Sequence, residues 1–154
     1  MTLHPENYLY IYRDPRGYRD LKRELRLLPE EQREAFIMEM VRRRPAVGLR
    51  LANACMRNRA FFLRLLREGV CTADISRISM WLRCITPRLG AGRVLHEVRM
   101  RMDSQPDVAD KVLYWMPMVL PRNSPRQQQN FIALKQLARS KGYLSGPQKP
   151  QGAS

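Results

Sequence analysis

The chain has 154 residues, 44% apolar and 27% charged, which is the size and composition of one folded domain and excludes a chain that is disordered throughout. Lys and Arg number 28 against 14 Asp and Glu, a net charge of +14, so a polyanion is the first partner to consider. Arg outnumbers Lys by 23 to 5; Arg suits bidentate phosphate contacts, although a GC-rich genome produces the same bias.

Residues 1–17 differ from the rest. Tyr8, Tyr10 and Tyr12 alternate with Leu9 and Ile11, as in a short extended strand, and Asp14-Pro15-Arg16-Gly17 has the chemistry of a tight turn. From Tyr18 the pattern is helical. A short charged helix is predicted over 18–27. Pro29 then marks a first helical position, with Glu30, Glu31 and Glu34 in the first turns and Arg42, Arg43 and Arg44 at the end, matching the helix dipole. Phe36, Ile37, Met40 and Val41 supply its inner face. Pro45 opens a helix that is apolar nearly all round, with Val47, Leu49, Leu51, Ala52, Cys55 and Met56, so it should be central.

Over 57–67, Phe61, Phe62, Leu65 and Leu66 cover one broad face and Arg57, Arg64 and Arg67 the opposite one, with Gly69 as the stop. Further helices are predicted over 73–86 (Ile75, Ile78, Trp81, Leu82 and Ile85 inward), over 93–103, and from Pro106 to about 120 with a kink at Pro117. The last runs over 126–140 with Phe131, Leu134, Leu137 and Ala138 inward. The expected organisation is thus an extended segment over 1–17, a single all-α domain of about 6–8 helices over 18–143, and a disordered tail over 144–154.

Trp81 and Trp115 both begin a Trp-x5-Pro-Arg stretch, at a spacing of 34, and both are expected in the core. Leu82 and Met116, Ile85 and Val119, Val98 and Ile132, and Met100 and Leu134 also correspond. With Pro45 and its apolar helix, Asn123-Ser124-Pro125-Arg126 leading to Phe131, and Pro117 inside a helix, the chain over about 29–140 resembles degenerate HEAT or armadillo-type α-solenoid repeats. It departs from them at the second-helix Val-Arg pair, which only partly appears. The spacing also suits tetratricopeptide repeats, but the Gly, Tyr and Ala positions of that motif are missing. The resemblance implies a helical binding scaffold and names no ligand.

The charge excess is uneven: +2 over residues 1–44, +7 over 45–104 and +5 over 105–154. Acids near Arg57, Arg64 and Arg67 are scarce, Glu68 being the nearest, so these arginines read as a cationic ridge; Arg50, Arg99 and Arg101 extend the basic region. Tyr8, Tyr10, Tyr12 and Tyr18 interleave with Arg13, Arg16 and Arg19. Such planes stack on unpaired bases, although a Tyr/Arg mixture more often docks on its own domain or on a partner protein.

Catalytic chemistry has little to stand on. His96 has no marked nucleophile beside it, Gly90-Ala91-Gly92 lacks the Lys-Ser/Thr of a phosphate loop, and Asp107, Asp110 and Glu97 are too sparse for a magnesium site. Cys55, Cys71 and Cys84 have no CxxC spacing and read as buried thiols of a reducing compartment; neither a zinc site nor any cofactor is implied. There is no membrane-length apolar run and no secretory start, so an intracellular protein, cytoplasmic or nuclear, is expected. The sequence therefore points to a non-enzymatic basic module that contacts nucleic acid, RNA in preference to DNA, mainly through phosphates. Its candidate residues are Arg57, Arg64, Arg67, Arg50, Arg99 and Arg101, with Tyr10, Arg13 and Arg16. The alternative is a protein–protein adaptor or assembly subunit with a Met-rich groove drawn from Met38, Met40, Met56, Met80, Met100, Met102, Met116 and Met118.

Overall fold

The computed structural model describes residues 2–72 and 75–145, with the backbone alone at 71, 72 and 75; the inward side chain expected of Ile75, the Cys71 thiol and the tail beyond 145 lie outside it. The described residues form an all-α array without strands. Two compact units divide the chain, Met1–Leu65 and Leu66–Ser154.

The extended segment expected at Tyr8–Tyr12 is instead a pair of 3-10 turns, Pro5–Tyr8 and Ile11–Arg13. A strand needs a neighbour for its backbone groups; with none, this segment bonds locally, Arg13 N–H to the Tyr10 carbonyl and Asp14 N–H to that of Ile11, each at 3.0 Å. The turn predicted at 14–17 is a helix start. The Asp14 carboxylate accepts from the backbone N–H of Arg16 (3.1 Å) and Gly17 (3.0 Å), and Pro15 opens α1, Pro15–Leu27.

In the first unit, α1 buries Leu21 and Leu25 against α3, Pro45–Cys55. Helix α2, Glu30–Arg43, buries Phe36, Ile37, Met38, Met40 and Val41 and packs most intimately on α3, which is apolar nearly all round as its composition requires. Two arginines finish the C-terminus of α3: Arg26 donates to the Ala54 carbonyl at 3.0 Å and Arg33 to that of Cys55 at 3.2 Å, the polarity a helix C-terminus favours. Part of the Arg excess is therefore scaffold.

Helix α4, Arg59–Thr72, carries the boundary between the units. Gly69 does not stop it. The residue lies inside the helix, and it is glycine because the Trp81 ring of α5, Ile75–Leu89, occupies the space a β-carbon would take. Helix α5 continues through Pro87, three residues beyond the predicted end, and stops at Gly90, whose φ is +87°. Helices α6 (Ala91–Arg101), α7 (Pro106–Trp115) and α8 (Pro125–Ser140) complete the second unit around Val94, Leu95, Val98, Val112, Leu113, Leu134 and Ala138. Pro117 ends α7 rather than kinking it, and the chain passes into a 3-10 turn at Met116–Met118. Leu144 and Ser145, assigned to the tail, pack back: Ser145 N–H donates to Asp110 at 3.2 Å.

The repeat echo does not extend to three dimensions. Trp81 is buried in mid-helix, whereas Trp115 is half-buried at a helix end; Pro87 is helical and Pro121 is not. Met100 and Ile132, matched as apolar positions, are 69% and 51% exposed.

Gly48 shows how tight the α2–α3 contact is, since a β-carbon there would overlap the Val41 backbone. Helix propensity favours Ala over Gly by about 1 kcal/mol, but overpacking against a backbone that cannot rotate away costs about 1–3 kcal/mol. Gly48→Ala should therefore lower the thermal midpoint; an unchanged or raised midpoint in a melting experiment would show that the two helices have room to part.

Candidate nucleic-acid interface

The three arginines expected on one helical face do not share one. Helix α4 begins at Arg59, so Arg57 precedes it, exposed and in no ion pair among the described residues. Arg64 is bonded to Glu34 of α2 and lies 6.0 Å from the Phe61 ring centroid. Arg67 forks onto Glu97 of α6, Nε to Oε2 and Nη2 to Oε1, both at 3.1 Å. Acids are scarce along the sequence here, but folding brings in partners from 30 residues away.

Glu97 is the centre of the second unit's charge. It lies one turn from Arg93 and one turn from Arg101 on α6, whose guanidiniums stand 3.3 and 3.8 Å from its carboxylate. The Glu97 side chain is only 8% exposed, while those of Arg67, Arg93 and Arg101 are 44, 41 and 32% exposed. Behind them Leu66, Val70, Val98, Val108 and Val112 form an apolar wall. The hydrogen bond from Arg67 holds the Glu97 carboxyl below its ordinary range; burial opposes this and the charges of Arg67, Arg93 and Arg101 add to it. Three guanidiniums gather around one carboxylate, held in fixed orientation and open to water on one side.

Of the other residues singled out, Arg101 belongs to this cluster, whereas Arg99 lines a groove of about 440 Å³ between α6 and α8, with His96 and Asn130. Arg50 is exposed on α3 and Arg16 in the first turn of α1. Tyr10 and Arg13 do come together, and two residues outside the expected set join them. Arg44 lies 4.4 Å from the Tyr10 ring centroid and 5.0 Å from that of Tyr12, and Arg13 lies 5.2 and 5.6 Å from the same two rings. The Tyr12 hydroxyl accepts from Arg44 at 3.0 Å and from Arg13 at 3.3 Å. The Arg13 hydrogen bond leads in holding the Tyr12 phenol below its usual pKa.

Arg93 and Glu97 were legible as Arg-x3-Glu-x3-Arg over 93–101, a helical spacing that places both bases against the acid. Nothing local signals Arg44, which is 32 residues from Tyr12.

Other chemistry is sparse. Among the described residues no three His, Cys, Asp or Glu side chains gather as a metal site, and no helix is long and apolar enough to cross a membrane. Cys55 and Cys84 are buried thiols, and burial pushes Cys84 up to about 12. Of the methionines proposed for a groove, Met38, Met40, Met56, Met102 and Met116 are core residues, while Met100 and Met118 are exposed. Comparison with protein-family models, with curated proteins and with solved structures finds no match.

Glu97→Gln should lower the thermal midpoint by about 5 °C or more at neutral pH, because it removes the carboxylate around which Arg67, Arg93 and Arg101 gather. Since folding lowers the Glu97 pKa, its stabilisation is present above the unfolded-state pKa and is lost as the pH falls through the lower folded value. Melting curves taken from about pH 7 down to about pH 3 should show a shallower acid loss for the Gln variant than for the wild type. Parallel curves would remove Glu97 from the electrostatic account.

Proposed function

We propose that the protein is a non-catalytic, basic helical module that binds RNA, mainly through phosphate contacts. The observation that supports this most is the cluster of Arg67, Arg93 and Arg101 on Glu97. Its guanidiniums are half-exposed, held in orientation by one carboxylate and backed by apolar side chains that reduce screening. An anion entering there meets guanidiniums already fixed by the carboxylate, so little side-chain freedom remains to be lost on binding. Within the same unit Arg99 adds to the positive field without forming part of that cluster. Arg64, paired with Glu34, contributes less than its sequence position implies. RNA is favoured over duplex DNA because exposed tyrosines beside arginines suit unpaired bases.

The test varies salt. Wild-type protein should bind a single-stranded RNA with affinity falling steeply between about 50 and 200 mM salt. Arg93→Gln with Arg101→Gln leaves the Arg67–Glu97 fork in place, so the fold should hold. If two phosphate contacts are lost, the log–log salt slope should become shallower by about 1.4. An unchanged slope and affinity would take the cluster out of the interface; no binding even in low salt would end the RNA reading.

A further inference from the structure

In the first unit, the side chains of Tyr10 and Tyr12 stand in solvent, 58% and 39% exposed, so burial does not account for their placement. They are held there all the same. The 3-10 turn that follows Tyr10 leads directly into the Asp14 cap of α1, and the preceding turn is pinned by Tyr8, edge-on to Phe36 of α2 at 5.9 Å. Arg44, at the end of α2, reaches back to both rings and to the Tyr12 hydroxyl, and Arg13 meets the same two rings from their own segment. Neither arginine is salt-bridged to a carboxylate among the described residues. Two aromatic planes and two uncompensated guanidiniums thus share one anchored patch.

We propose that Tyr10, Tyr12, Arg13 and Arg44 form a stacking site for one unpaired nucleobase and its phosphate, which makes RNA binding selective for single strands over duplex. A guanidinium against a tyrosine ring occupies the kind of space a base occupies when it stacks, and either arginine can turn outward to a phosphate while a base takes the ring face. Bases inside a duplex have their faces covered by their neighbours and cannot enter; bases of a single strand can. The ligand class rests on the RNA reading above, but the site shares no residue with the Glu97 cluster, so the two can fail separately.

The experiment uses the full chain and a fluorescently labelled RNA of about ten nucleotides, as a single strand and as a duplex of equal length, in low salt. Tyr10→Ala with Tyr12→Ala should weaken single-strand binding about 5- to 100-fold and leave duplex binding within about twofold, and Tyr10→Phe with Tyr12→Phe should keep most of the wild-type affinity. Equal wild-type affinity for the two RNAs with no effect of the Ala pair would overturn the inference while leaving phosphate binding standing. A lower thermal midpoint with parallel loss of both affinities would also overturn it, because the patch would then be a clamp for the leading segment. Failure of the wild type to bind either RNA overturns this inference together with the reading it rests on.

Discussion

The second unit is arranged around one carboxylate that water barely reaches. Burying Glu97 costs solvation, and three guanidiniums offset that cost, one by a two-point fork and two from the turns above and below it on the same helix. The arrangement ties α4 to α6 and fixes the direction of Arg67, Arg93 and Arg101. It also gathers three guanidiniums at one acid and holds them part-exposed. A stabilising interaction inside the fold thereby leaves oriented guanidiniums at its surface, and the binding role proposed for this protein grows from them.

The same logic separates the arginines that build the fold from those with charge to offer. Arg26 and Arg33 are absorbed by carbonyls at the end of α3, and Arg64 is matched by Glu34. Each meets one of the ordinary needs of a helical protein: finishing a helix end or pairing an acid. Net charge alone does not distinguish these from Arg13 and Arg44, which lie against exposed rings and in no ion pair among the described residues. The charge of +14 is evidence for a polyanion only to the extent that it remains unpaired after folding.

Helices were legible because their apolar residues recur at helical spacing, and the buried faces of α2, α3 and α5 follow that pattern closely. Their ends were less legible. Gly69 reads as a stop, yet it is glycine because Trp81 packs against it, a reason that lies 12 residues away. The alternation at Tyr8–Tyr12 reads as a strand, but no second strand exists among the described residues to pair with it. The arginine ridge failed for a related reason. Counting acids within a few residues overlooks Glu34 and Glu97, each 30 residues from its partner. What was readable, and decisive, is the helical spacing of Arg93, Glu97 and Arg101.

The most direct test of the central claim observes the guanidiniums themselves. Nitrogen–proton NMR spectra of the arginine Nε–Hε groups, assigned by substitution, can be followed as a short single-stranded RNA is added in low salt. The account predicts progressive, saturable shifts at Arg93 and Arg101, with Arg67 responding through the Glu97 it shares with them. Saturable binding of the RNA with all three resonances unmoved would contradict it.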